Sequence, residues 1–218
     1  MEWLISAVDV VMHLNRYLAE WTALYGPWIY GILFVVIFAE TGLVVAPFLP
    51  GDSLLFVAGS LAAGDNMDVR LLVLILFAAA ALGNIVNYEV GRFLGMKFFV
   101  DEQSRWLNPH HLERTHAFFD RWGGLAVILA RFVPFLRTYV PFVAGLGAMS
   151  RVTYIGYTLF GAALWVGSLT YLGYFFGNIP WVKENQGLLV IAIVVISVLP
   201  VIVGLIRARL SSAPAQSP

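Results

Sequence analysis

The stretch from Ala130 to Ala144 places two arginines and two prolines inside an otherwise apolar sequence, ARFVPFLRTYVPFVA. An arginine at membrane depth costs at least ~2.5–3.5 kcal/mol, so Arg131 and Arg137 need a reason to be there. Pro134 and Pro141 remove backbone donors and are expected to interrupt a helix. Broken backbone at membrane depth is tolerated only where it is buried in protein or lines a wet cavity. The stretch therefore predicts half of a midplane binding site for an anion.

The composition is that of a polytopic membrane protein. Of 218 residues, 60% are hydrophobic and only 12% charged, and the mean hydropathy is +0.83. Residues 152–177 and 187–206 are uncharged and long enough to span a bilayer, and residues 68–95 supply a further crossing. The net charge of zero gives no reason to expect a nucleic-acid partner. The absence of cysteine excludes disulfides, thiolate metal ligands and thiol nucleophiles.

Residues 27–64 form another apolar stretch that is too broken for one simple span. Its first arm, residues 27–41, would reach about 22 Å, short of the ~30 Å hydrocarbon core. We predict a re-entrant helical hairpin with Glu40 and Asp52 near its tip. A full span continued from residue 17 is the alternative, so the side of the N-terminus stays open. The residues expected to shape the two hairpin tips are Pro47, Pro50, Gly51, Pro134 and Pro141.

The two halves of the chain echo each other. The matches are PFL at 47–49 and 134–136, FVAG at 56–59 and 142–145, and the glycine pairs 91/95 and 173/177. Four ordered similarities, counting the HLxR that begins at residues 13 and 111, indicate an internal repeat. One full crossing separates the two hairpins, so they would enter the membrane from opposite faces. This predicts an inverted repeat, which in transporters puts the substrate site near the midplane.

The positive-inside rule predicts the orientation. The hydrophilic stretch 97–122 and the C-terminal Arg207 and Arg209 are expected on the cytoplasmic side. We predict an all-α, multi-pass membrane domain over residues 1–206 with a disordered cytoplasmic tail at 207–218. Its parts would be repeat 1 at about 1–95, repeat 2 at about 107–177, an additional spanning helix at 187–206, and interfacial amphipathic helices within 1–25 and 97–122.

Meeting in the membrane, the hairpins would bring Glu40 and Asp52 against Arg131 and Arg137. Guanidinium forks match phosphate oxygens, so we predict that the two arginines bind a phosphate headgroup. The two acids would couple binding to protons: protonated they release the arginines to a substrate, and ionised they compete with it. A purely structural ion-pair network is an alternative. For Asp52 alone, a plain helix N-cap is another.

Other chemistry has little support in the sequence. The histidines lie away from the arginines and lack metal-ligand spacing: His13, His110, His111 and His116. We therefore expect no metal, no cofactor and no enzymatic activity. The aromatic residues of 154–174 are interpreted as packing or interface anchors. Glu89 and Arg92 are expected to form a local i,i+3 pair.

Four long motifs carry a resemblance to a known family: FAETGLVVAPFLPGDSLLFVAG (38–59), NYEVGRFLG (87–95), ILARFVPFLRTYVPFVAG (128–145) and GYFFG (173–177). Together they resemble the DedA family, also called the SNARE-associated or VTT-domain family, over nearly the whole chain. The functionally required acids of the family fall on Glu40 and Asp52, and its required arginines on Arg131 and Arg137. Asn84 departs from the pattern, because relatives often carry an acid there; no proton role is implied at that position.

The resemblance implies a protein of the bacterial inner membrane that serves membrane homeostasis. Some members recycle undecaprenyl phosphate, eukaryotic relatives scramble phospholipids, and others are tied to proton-motive force and drug resistance. We expect a translocase of lipid phosphates such as undecaprenyl phosphate or phospholipids, with lipids and protons as partners. The alternatives are a proton-coupled small-molecule exporter and a non-transporting envelope-assembly factor. The oligomeric state, including a homo-oligomer, stays open.

Overall fold

The computed structural model describes residues 14–43, 51–64, 67–99, 123–147, 149–177 and 179–184. Its helices are α1 Leu14–Tyr25, α2 Trp28–Gly42, α3 Gly51–Ala62, α4 Val69–Phe99, α5 at 123–130, α6 Pro134–Leu146, α7 Arg151–Phe176 and α8 Pro180–Glu184. The described residues contain helices and turns and no strand, which confirms the predicted all-α class.

Among the described helices, two are long and apolar enough to cross a bilayer. They are α4, over Val69–Gly95, and α7, both at the positions that the sequence predicts. Helices α2 and α3 are also apolar but have only 15 and 12 residues, too few to span ~30 Å at ~1.5 Å per residue. The predicted spanning helix at 187–206, the tail at 207–218, most of the stretch 97–122, and Pro47 and Pro50 lie outside the described residues.

A glycine turn separates α1 from α2. Gly26 has φ +51, a left-handed conformation that glycine adopts without strain, and its N–H donates to the carbonyl of Thr22 at 3.0 Å. Residues 17–41 are therefore two helices rather than one continuous helix. Helix α1 is amphipathic as predicted, because Leu18 is buried in the core while Arg16 and Glu20 pair at 2.8 Å on the exposed side.

The short helices pack on the long ones at glycines. A Cβ on Gly173 would overlap the carbonyl oxygen of Phe56, which brings α3 directly against α7. In the same way, a Cβ on Gly91 would overlap the carbonyl oxygen of Phe142, which brings α6 directly against α4. Small residues permit this close backbone approach between helices in a membrane. Trp165 of α7 belongs to one buried core with residues of α2, α3 and α4.

The second broken segment has its break at Pro134 and not at Pro141. A turn at 131–133 follows α5, and Val133 is extended (φ −119, ψ 112), as the residue before a proline prefers. Pro134 then begins α6. The prediction that Pro141 also interrupts the helix is wrong, since α6 continues through it to Leu146. A proline removes one backbone hydrogen bond, and the close packing of α6 against α4 supports the helix around that gap.

Candidate functional site

Three charged side chains from three different helices meet in the interior. Arg137 of α6 donates from Nη1 to Oδ1 of Asp52 at 2.8 Å and from Nη2 to Oε1 of Glu40. Glu40 lies in the last turn of α2 and Asp52 in the first turn of α3. The exposed fractions are 4% for Arg137, 0% for Glu40 and 15% for Asp52. One guanidinium thus joins the facing ends of α2 and α3 to α6.

The carboxylate of Glu40 contacts the N-terminus of α3. Its Oε1 also accepts from the backbone N–H of Gly51 at 3.2 Å, at a helix end whose N–H groups have no partner within the helix. A Cβ on Gly51 would lie 2.6 Å from Cδ of Glu40 and would overlap the carboxylate. This explains the glycine at the predicted hairpin tip. Within the described part of the chain, Oε2 of Glu40 has no hydrogen-bond partner.

Trp165 of α7 completes this cluster. Its indole N–H donates to Oδ1 of Asp52 at 2.9 Å, and its ring centre lies 5.4 Å from Cζ of Arg137, a cation–π distance. The side chain is fully buried. From the sequence, the aromatic residues of this region are expected only to be packing or interface anchors. Nothing in a run of 26 uncharged residues distinguishes the tryptophan that faces the ion pair.

Arg131 has different surroundings. It lies just after α5 and is 2% exposed. Its Nη2 donates to the carbonyl of Thr158 at 3.0 Å and, with the Asn84 amide in its satisfied orientation, to Asn84 Oδ1 at 2.8 Å. Its Nε has no partner, and no carboxylate of the described segments pairs with it. The expectation of two acids against two arginines is thus wrong in detail, because both acids bind Arg137.

Two amides of α4 hold the surrounding backbone. Asn84 Nδ2 donates to the carbonyl of Thr41 at 3.1 Å. Asn87 Nδ2 donates to the same carbonyl at 3.3 Å and to that of Thr138 at 2.8 Å. The carbonyl of Thr41 belongs to the last turn of α2, where acceptors are left over. Both amides are buried, and the signal in the sequence that points to them is their spacing of three residues, which puts them on one face of α4.

Glu89 does not form the local pair expected for it. Instead its carboxylate accepts from Nε and Nη2 of Arg151 at 2.8 and 2.9 Å. Arg92 donates to Tyr88 and to the carbonyl of Met149. The start of α7 lies beside α4, and a bidentate partner 62 residues away replaces the neighbour on the same helix. Both side chains are exposed, so the pair is worth only ~0–1 kcal/mol.

Comparison with known proteins decides the family. A model of the VTT domain matches residues 49–175. The chain is 46% identical to Protein DedA of Escherichia coli (strain K12) over 217 residues, which are 99% of both chains. This chain belongs to the DedA family. The VTT match includes Asp52, Arg131 and Arg137 and begins nine residues after Glu40.

Other relatives of this DedA-family chain are also membrane proteins. Inner membrane protein YqjA of Escherichia coli (strain K12) is 36% identical over 177 residues, 81% of this chain and 80% of YqjA. A membrane protein of Mycobacterium tuberculosis (strain ATCC 25618 / H37Rv) is 41% identical over 179 residues, 81% of this chain and 78% of that protein. No solved structure matches at a significant level. With two apolar helices of spanning length among the described residues, the DedA-family chain is a membrane protein.

Proposed function

We propose that this protein is a proton-sensitive translocase of phosphate-bearing lipids in the bacterial inner membrane. The observation that carries the proposal is the contrast between two buried arginines of the described segments, Arg131 and Arg137. Arg137 is engaged by two carboxylates, whereas Arg131 contacts only neutral acceptors of the described residues. Burying a guanidinium without a counterion costs several kcal/mol. An anion that reaches Arg131 would offset that cost, and a phosphate matches the guanidinium fork.

Protonation of Glu40 would couple the binding of the lipid anion to the uptake of a proton. With both acids ionised, the two carboxylates balance the two arginines. One proton on Glu40 would leave the cluster with one net positive charge and so favour an incoming anion. Oε2 is free of hydrogen-bond partners within the described part of the chain, so it offers a place for that proton. By linkage, the lipid anion would then raise the affinity of the site for the proton.

We infer that α2–α3 and α5–α6 are the two re-entrant hairpins of an inverted repeat in a multi-pass protein with a cytoplasmic C-terminus. Two features support this. The helices are too short to span, and the Phe56–Gly173 crossing has a counterpart of the same residue types in Phe142–Gly91. Each hairpin thereby packs against the long helix of the other half. Such an arrangement would put Glu40 where the tips of two broken segments meet.

A structural role is the second candidate, and one observation favours it. Arg137 ties α2, α3 and α6 together, which is what a fixed ion-pair network in a non-transporting membrane factor would do. Losing one partner of such a buried pair typically costs ~3–5 kcal/mol. This candidate accounts for Arg137. It gives no reason to bury Arg131 against neutral groups.

The experiment is reconstitution into vesicles with fluorescent undecaprenyl phosphate or a fluorescent phospholipid. Arg131→Gln is expected to slow lipid movement at least about tenfold, or ~1.4 kcal/mol in the barrier, without loss of the folded state. Arg70→Gln, an exposed arginine at the start of α4, serves as the matched control and should behave as the parent.

Three other results would overturn the proposal. The first is lipid movement that is unchanged in Arg131→Gln. The second is an effect of Arg131→Gln and Glu40→Gln on thermal stability alone, which supports the structural candidate. The third is proton flux on addition of a drug without any lipid movement, which supports an exporter of small molecules.

A further inference from the structure

A groove of about 450 Å³ opens between α5 and α7, within the size range of ligand sites. Its lining is almost wholly apolar: Ile128, Val152, Thr153, Gly156, Tyr157 and Phe160. Val152 and Phe160 are among the more exposed side chains of α7, so the groove lies at the surface of a helix that is able to cross the bilayer. Surface of this kind is expected to face hydrocarbon.

The groove and the arginine share a wall. Ile128 precedes Arg131 by three residues, and Phe160 is next to Gly161 in α7. A Cβ on Gly161 would lie 3.0 Å from Cδ of Arg131 and 3.5 Å from Cα of Ile128. The Cδ–Nε part of Arg131 therefore lies against Gly161, the residue after Phe160 of the groove. Arg131 is only 2% exposed, and its Nε has no partner among the residues that the structure describes.

Two glycines shape the groove. A Cβ on Gly156 would have no atom within 4 Å, so the space above this residue in the groove is empty. Gly124 of α5 stands against the ring of Tyr157, where any Cβ would overlap the aromatic carbons. The first glycine leaves the groove empty of side chain, and the second lets Tyr157 lie close to α5 as one wall.

We infer that this groove holds the hydrocarbon chain of a lipid anion whose headgroup reaches Arg131. The inference rests on the proposed function and adds the place where the chain of the lipid lies. An apolar groove that ends beside the buried guanidinium of Arg131 is complementary to a molecule with one anionic end and an apolar remainder. Inorganic phosphate would leave the groove empty, and a neutral lipid would leave the guanidinium without a counterion.

The experiment is photo-crosslinking in phosphatidylcholine vesicles with two probes. One is a polyprenyl phosphate with a diazirine in its chain, and the other is the corresponding alcohol. The expected result is crosslinking of the phosphate probe to Tyr157 and Phe160, at least about fivefold above the alcohol probe. Gly156→Leu should reduce this crosslinking severalfold. Gly167→Leu, an equally open glycine of the same helix, should leave it unchanged.

Three results would overturn the assignment of the groove. They are equal crosslinking by both probes, which indicates bulk lipid only; crosslinking unaltered in Gly156→Leu; and a lower thermal stability of lipid-free Gly156→Leu in detergent, which indicates that protein fills the groove. The proposed function is tested separately by Arg131→Gln. If that variant loses lipid movement while the probe crosslinks outside the groove, the groove assignment fails and the translocase stands. If lipid movement is unaffected by Arg131→Gln, both fail.

Discussion

The indole N–H of Trp165 donates to Asp52 at 2.9 Å, across 113 residues of sequence. The same ring lies beside the guanidinium of Arg137, so one side chain of α7 contacts both members of an ion pair formed by α3 and α6. The geometry of the pair therefore depends on where α7 lies. A shift of α7 would therefore change the contacts of Trp165 with Asp52 and Arg137.

Trp165→Phe should loosen the ion pair while keeping an aromatic ring in place. The lost hydrogen bond goes to a charged acceptor and is worth ~1.5–3 kcal/mol. In a double-mutant cycle with Asp52→Ala, unfolding in detergent should give a coupling energy of about 1–2 kcal/mol. Trp28→Phe, at an exposed tryptophan, is the control. A coupling energy near zero would mean that the indole only fills space.

Gly51→Ala should displace the carboxylate of Glu40, because the added methyl overlaps it. We expect a loss of ~1–3 kcal/mol in the free energy of unfolding, typical of overpacking a filled site. Gly31→Ala adds the same methyl at an open helical position and should be neutral or stabilising by ~0.5–1 kcal/mol. Denaturant titration of both variants checks this. Equal effects at the two glycines would show that Glu40 does not need Gly51.

Gly91→Ala and Gly173→Ala should destabilise the protein to a similar extent, because each methyl would overlap a backbone carbonyl that has no rotamer to adopt. We expect ~1–3 kcal/mol for each. Gly167→Ala, where nothing lies within 4 Å, should have the opposite sign. The measurement is thermal unfolding in one detergent. A large difference between Gly91→Ala and Gly173→Ala would count against the equivalence of the two crossings and hence against the inverted repeat.

Much of the fold follows from the sequence because spanning a bilayer imposes length. The uncharged or weakly charged runs become α4 and α7 for that reason. Glu40, Asp52 and Arg137 could be selected because charge in apolar sequence must find a partner. What these residues bind stays a prediction.

The predictions that are wrong concern tertiary contacts, which local sequence rules do not contain. Arg131 and Arg137 are only six residues apart, and which one meets the acids depends on the turn at 131–133 and on the rotation of α6. A proline breaks a helix where no neighbouring helix supports the lost hydrogen bond. Pro141 does not break α6, because α6 packs closely on α4 there. Glu89 prefers Arg151 to its neighbour Arg92 because α4 and α7 are adjacent.

Asp68 should make stability depend on pH in the acid range. Hydrogen bonds from the N–H groups of Leu71 and Arg70 lower the pKa of Asp68 below its ordinary value of 3.8. A lowered pKa contributes stability above the unfolded value, and that contribution is lost as the pH falls through the folded value. The stability of the parent should therefore fall more steeply below about pH 4 than that of Asp68→Asn, which caps α4 without titrating. Parallel curves from thermal unfolding against pH would contradict this, and Glu20→Gln is the control.

The most direct test of the central claim is the dipolar coupling between the phosphorus of a bound lipid phosphate and the guanidinium nitrogens of ¹⁵N-arginine-labelled protein, measured by solid-state NMR. The parent and Arg70→Gln should show the same ³¹P-dependent dephasing. With all other lipid replaced by a phosphorus-free glycolipid, Arg131→Gln should lose a component of this dephasing. If that component persists in Arg131→Gln, the buried guanidinium does not bind the phosphate, and the proposed site is wrong.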